Sequence, residues 1–242
     1  MIARNPSLTE QVMAHLRERI AGGEFDGGRI PSEAKLASVL GVSRTTVRDA
    51  LSRLEHDGSI YRKQGAGTFV NEPGLQIRSR LEEIWSYEQV LRDHGYTPSV
   101  RVLGVLEEAA DAAIANDLGV APADPVIAME KLFLEDDDPV VLTMNRIPAA
   151  YLHDDFADSA SEPLYEFLEA HCDRHLAYYL SEIVPVALDD HQAALLDEPA
   201  GTPAICFEEI GFDQSNAPIV RASSIFRDDL LRFRLIRRKA GA

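Results

Sequence analysis

"GVSRTTVRDALSRLEHDGSI", residues 41–60, decides how the first part of the chain is read. Ser43 is a residue type that caps helix N-termini, and Gly41 and Gly58 bracket the segment as breakers. At 100° per residue, Val47, Ala50, Leu51 and Leu54 fall within one arc, while Arg44, Thr45, Arg48 and Ser52 fall on another. The spacing predicts an amphipathic helix. Its apolar stripe serves its own core, and its hydroxyls and guanidiniums gather near the N-terminus.

The flanking sequence supplies partners for that helix. Ser7 to Ala21 carries Leu8, Val12, Leu16 and Ile20 at helical spacing and stops at Gly22-Gly23. A second helix starts at Pro31-Ser32, turns Leu36, Val39 and Leu40 inward and ends at Gly41. Ile60–Lys63 and Thr68–Val70 read as two short strands around Gln64-Gly65-Ala66-Gly67, whose glycines permit a tight hairpin. A helix so presented can enter a major groove with its N-terminal residues on base edges, where arginine grips guanine with two hydrogen bonds. Arg62 and Lys63 flank a small hairpin tip of the size a minor groove admits. The same glycines lack the GxxxxGK[ST] spacing and the following helix that a nucleotide phosphate cradle requires.

Charge agrees with a local interface. The formal net charge of the 242-residue chain is −16, yet residues 1–71 hold ten Lys+Arg against eight Asp+Glu, while residues 72–242 hold fourteen against thirty-two. A polyanion is attracted only to the first part, so specificity has to come from a defined surface. Hydrophobic residues make up 45%, enough for real cores. No apolar run approaches the roughly 18 residues of a membrane span, and the N-terminus lacks a secretory pattern. The expectation is a cytoplasmic protein with no membrane partner. Cys172 and Cys206 form no CxxC and read as buried free thiols.

Asn71-Glu72-Pro73-Gly74 breaks the pattern, and the texture then changes. Helices are predicted at Leu81–His94, Ala109–Leu118, Leu164–His171 and Asp189–Leu196. Strands are predicted at Val100–Leu106, Pro125–Leu134, Val140–Ile147, Ala177–Leu188, Ala204–Phe212, Ile219–Arg227 and Leu231–Ile236. Polar hairpin turns at Glu135–Pro139 and Asp213–Pro218 join two strand pairs. Long antiparallel strands with interspersed helices make the chain α+β. The expected organisation is a DNA-binding domain over 1–71, a linker over 72–78 and a second domain over 79–242.

Residues 31–70, "PSEAKLASVLGVSRTTVRDALSRLEHDGSIYRKQGAGTFV", resemble the winged helix-turn-helix of the GntR family of bacterial transcription regulators. The resemblance implies that Arg44, Thr45, Thr46 and Arg48 contact operator DNA and that Gln64 and Gly65 reach the minor groove; Ser43 and Lys63 belong to the same surface. The family often has a DNA-contacting arginine directly after PSE, where this chain has Ala34 and then Lys35. Residues 81–238 look like the UTRA domain of the HutC subfamily, which shares its fold with chorismate lyase. The carrying stretches are "LRDHGYTPSVRVL", "LGVAPADPVIAMEKLFLEDDDPVVLTMNRIP", "PLYEFLEAH" and "APIVRASSIFRDDLLRF". This resemblance implies a homodimer held by the UTRA domain, a pseudo-palindromic operator, and repression relieved by a small-molecule effector.

The family holds anionic sugar phosphates with arginines on the strand that here reads Met129–Phe133. This chain has Lys131 and Phe133 at those positions, Thr143 in place of an acid, and Pro163 in place of a serine. Polar residues on otherwise apolar strands nominate Lys131, Thr143, Asn145, Arg221 and Ser223 as effector contacts, with Arg221 and Ser223 alternating onto one strand face. Ser86 and Tyr87 add a hydroxyl and helix-start N–H groups. Together they suggest a small polar effector, anionic in one reading. His171 and His175 have a metal-compatible spacing, but the helix is expected to end near Cys172, so no metal and no cofactor is expected. A lyase-type enzyme and an architectural DNA-binding protein without ligand response stay open beside the regulator.

Overall fold

The computed structural model describes residues 6–75, 86–93, 95–153, 156 and 159–227. They divide into two units on either side of residues 76–85. The linker-side part of the predicted helix over Leu81–His94, the predicted strand Leu231–Ile236 and residues 76–78 of the predicted linker lie outside the described residues.

In the first unit, α1 (Leu8–Ala21) begins with a capping box, in which Ser7 Oγ accepts from Glu10 N and the Glu10 carboxylate accepts from Ser7 N. α2 (Glu33–Leu40) is capped by Ser32 and closed by Gly41 at φ 67°. α3 (Arg44–His56) is capped by Ser43. Val12, Leu16, Leu36, Val47, Leu51 and Leu54 meet in one buried core. Two hairpin strands follow, β2 (Ile60–Lys63) and β3 (Gly67–Val70), and a pair the pattern did not predict, β1 (Arg29–Ile30), adds to the far edge of β3. One helical turn, α4 (Glu72–Leu75), occupies the segment read as linker.

The second unit is built on six antiparallel strands in the order β4-β5-β6-β9-β8-β7. They are β4 (Pro98–Ala109), β5 (Pro125–Glu135), β6 (Asp138–Pro148), β7 (Leu176–Ala187), β8 (Pro203–Asp213) and β9 (Pro218–Phe226). The helices are α5 (Tyr87–Asp93), α6 (Ala112–Leu118), α7 (Leu164–Cys172) and α8 (Asp190–Leu196). β4 runs to Ala109 because Asp111, not the residues before it, caps α6. The β5–β6 turn places Asp136 and Asp137 at φ 44° and 79°, the two positive values a tight primed hairpin needs.

The two sheet faces are covered differently. On one, Ala193 and Leu196 of α8 pack on Leu132, Leu142, Cys206 and Ile225. On the other, Phe167 and Leu168 of α7 pack on Ile127, Met129 and Val220, and Val90 and Leu91 of α5 pack separately on Phe133, Val141, Phe207 and Phe226. Gly211 is closely packed on this second face. A Cβ there would come within 2.6 Å of Val220 Cγ1, 2.8 Å of Leu176 Cδ1 and 2.9 Å of Tyr179 Cε1. Gly211→Ala should therefore destabilise the protein by about 1–3 kcal/mol through overpacking, read as a lowered urea midpoint; an unchanged midpoint would show that the β7–β9 packing yields without cost.

Candidate functional site

The exposed side of α3 begins at its cap. Ser43 Oγ accepts from Thr46 N at 3.0 Å and lies 2.8 Å from Thr46 Oγ1, so both hydroxyls are engaged in starting the helix. Arg44, Thr45 and Arg48 are exposed, as are Lys63, Gln64 and Gly65 at the hairpin tip, where Gly65 has φ 74°. Arg48 is held by a residue the pattern reading passed over. Its Nε and Nη2 donate to Glu33 Oε2 at 3.2 and 3.1 Å. These bonds hold the Glu33 carboxyl below its usual range and raise the guanidinium's own pKa. Arg62 is tied back to α3 by Glu55 at 3.1 Å and Ser52 Oγ at 3.4 Å. Arg29, Ser32, Lys35 and Thr68 frame a concavity beside the hairpin, so β1 contributes a cation that the sequence pattern did not single out. Ala34 is exposed on the first turn of α2.

The second unit contains a cavity of about 560 Å³ between the α5 and α7 clusters, on the sheet face those helices share. Its floor is a row of buried polar side chains running across the strands. Lys131 of β5 is opposite Thr143 of β6, which is opposite Ser224 of β9, and Asn145 lies one step along. Ser86, Tyr87, Lys131, Thr143 and Asn145 all line the cavity, as do Phe133 and Pro163. Lys131 is only 2% exposed, and its Nζ donates to the Glu162 carbonyl at 2.8 Å. Burial pulls its pKa down to about 8, against the opposing pull of Glu88 and Glu162. Tyr87 donates to Ser224 Oγ at 2.7 Å, and burial raises its phenol. Ser86 Oγ accepts from Gln89 N and donates to the Glu88 carboxylate at 2.7 Å.

Arg221 and Ser223 do not join this group. Ala222 and Ser224 are the β9 residues that line the cavity, so strand alternation sends Arg221 and Ser223 to the opposite face. There Arg221 Nε pairs with Asp117 of α6 at 2.8 Å. The expectation that both point at one ligand is corrected by that one-residue parity. The cavity also holds groups that the pattern reading did not single out: Glu209 of β8, Tyr179 and Ser181 of β7, and Glu88. Ser181 Oγ donates to Glu209, whose carboxyl is nevertheless raised by burial. His175 pairs with Glu169 at 3.3 Å, α7 ends at Cys172, and no cluster of three metal-binding side chains occurs among the described residues. No helix among them is long and apolar enough to cross a membrane.

Comparison with known proteins places both units. Residues 8–70 match the family model described as bacterial regulatory proteins, gntR family, and residues 93–232 match the UTRA domain. The repressor PhnF of Mycolicibacterium smegmatis is 30% identical over 93% of this chain and 91% of its own. The histidine utilization repressor of Pseudomonas aeruginosa is 33% identical over 71% of this chain and 64% of its own. The crystal structure of YydK from Bacillus subtilis, a possible transcriptional regulator, covers 96% of this chain and all of that one with a TM-score of 0.75; at 14% identity it speaks to the fold alone.

Proposed function

Because the chain belongs to the GntR family of bacterial regulatory proteins, in the HutC-like group that carries a UTRA domain, we propose that it is a transcriptional repressor released from its operator by a small polar effector. The observation that carries this reading is the capped helix α3, whose apolar face is core and whose exposed face offers Arg44, Thr45 and Arg48 beside a glycine-tipped hairpin. A single such helix contacts too few base pairs for useful specificity, so the protein acts as a homodimer on two half-sites about one helical turn apart. Ser43, Thr46, Lys63, Gln64 and Gly65 complete the DNA surface. The cavity over Lys131, Thr143 and Asn145, reached by Ser86 and Tyr87, receives the effector. Effector binding shifts the heads only through its differential affinity for two arrangements of the dimer. The domain limits 1–71 and 79–242, the linker between them and a cytoplasmic location belong to the same proposal.

The test is a mobility shift on duplexes selected from a random pool. Binding should be dimeric by light scattering and should weaken steeply with salt, about one unit of log–log slope for each phosphate neutralised. A monomer that selects no common sequence would overturn the regulator reading.

A further inference from the structure

The proposed function requires a polar effector; the cavity itself says which kind. Among the described residues, its charged groups are a single lysine, Lys131, and two carboxylates, Glu88 and Glu209. Glu88 lies close enough to act on Lys131 electrostatically. A strongly charged anion such as a phosphate monoester would meet one ammonium in the field of a carboxylate, and a second carboxylate across the cavity.

Glu209 occupies the opposite end. β5 and β8 are separated by three inter-strand steps of about 4.8 Å, with β6 and β9 between them. Lys131 and Glu209 therefore rise from strands about 14 Å apart and face different parts of a bound ligand. The surroundings of Glu209 are chemically distinct. Tyr87 and Tyr179 are near enough to feel its charge, and Phe207 precedes it by two residues on the same strand face. Phenol and phenyl rings around a carboxylate are the arrangement that receives an organic ammonium, with charge on one side and aromatic faces on the others. At the Lys131 end, the ammonium spends one donor on the Glu162 carbonyl, and a lysine ammonium has three. Thr143 and Asn145 supply neutral hydrogen-bonding groups beside it.

We propose that the cavity binds a small bipolar molecule, its ammonium end held by Glu209 between Tyr87, Tyr179 and Phe207, and its carboxylate-like end held by Lys131 with Thr143 and Asn145. This rests on the reading of the cavity as the effector site and narrows it to one ligand class.

The probes are linear ω-amino carboxylates of increasing chain length, the alkylamines and alkyl carboxylates that match them in length, and inorganic phosphate. Binding to the full-length wild-type protein is measured by calorimetry. At least one amino carboxylate should bind about tenfold or more tighter than both of its single-ended counterparts, as expected for paired buried charges. This comparison needs no variant. In Glu209→Gln, checked for cooperative unfolding at or above the wild-type melting temperature, the amino carboxylate should fall to the affinity of the plain carboxylate. The proposal is overturned if phosphate or the carboxylates bind as tightly as the amino carboxylates, if none of the amino carboxylates binds, or if Glu209→Gln leaves the preference intact. A protein that selects an operator but fails these comparisons loses the ligand class and keeps the regulator. One that passes them and selects no duplex keeps the ligand class and loses the regulator.

Discussion

Replacing Lys131 with methionine should make the effector-free protein more stable, by about 3 kcal/mol at pH 7. The reason is that the fold holds an ammonium at 2% exposure and pulls its pKa from 10.5 down to about 8; each unit of that gap corresponds to about 1.4 kcal/mol. The sign follows from proton counts. Between about pH 8 and 10.5 the unfolded chain holds a proton on this lysine that the folded chain has lost, so stability rises with pH across that window. Below pH 8 both states are protonated and the full penalty is present. Roughly half the difference between wild type and Lys131→Met should therefore close by pH 9.3. Urea unfolding of both proteins from pH 7 to 9.5 reads this directly. The upper limit matters, because burial raises the phenols of Tyr87 and Tyr179, and the unfolded chain ionises first near pH 10, which turns stability downward. The same variant should lose effector response. Equal or lower stability of Lys131→Met at pH 7 would mean that the Glu162 carbonyl and Glu88 already compensate the burial. A stabilising Lys131→Met would mark Lys131 as held at a cost to its own domain, as expected of a side chain kept for a ligand.

How far the sequence reading reached depended on how many local signals agreed. At α3 the Ser43 cap, the 3.6-residue period and the stop at Gly58 point the same way, and the observed helix Arg44–His56 follows them. β1 was invisible because Arg29–Ile30 has too few residues to show alternation, and it exists only through its pairing with β3. The polar row at Lys131, Thr143 and Asn145 was legible since each breaks an otherwise apolar strand. Arg221 and Ser223 misled for the opposite reason. β9 is buried on both faces, with Val220, Ala222, Ser224 and Phe226 on one side and Ile219 and Ile225 on the other, so composition does not say which face is which. Only the register with β6, Thr143 opposite Ser224, assigns it. Glu209 was hidden in the same way: Glu208 and Glu209 are adjacent and chemically alike, and pleating alone turns one of them into the cavity. Glu33 carried no signal of its role, because its bond to Arg48 joins residues fifteen apart.

Arg48→Ala should weaken binding to a selected operator by about tenfold to a hundredfold for each half-site, and the two half-sites of a dimer compound the loss. Arg48→Lys should not restore it, because a bidentate grip on guanine needs the planar fork. The variant should also relax preference at one position of each half-site while leaving the salt slope nearly unchanged; Lys63→Ala, if it meets a phosphate, should do the reverse. Glu33 separates positioning from contact. Its carboxylate fixes Arg48 Nε and Nη2, leaving the remaining donors of the guanidinium to face outward. It also adds a negative charge beside the proposed DNA surface. Glu33→Gln should accordingly strengthen binding to random duplex, since one repulsion is removed, and lower the ratio of operator to random affinity, since Arg48 is no longer aimed. Competition shifts with operator and random duplex measure both quantities on one protein. Operator binding within twofold of wild type in Arg48→Ala would remove Arg48 from the reading surface. Random-duplex affinity unchanged in Glu33→Gln would show that the carboxylate stays out of the field of the DNA, with its pair to Arg48 a fastening between α2 and α3 only.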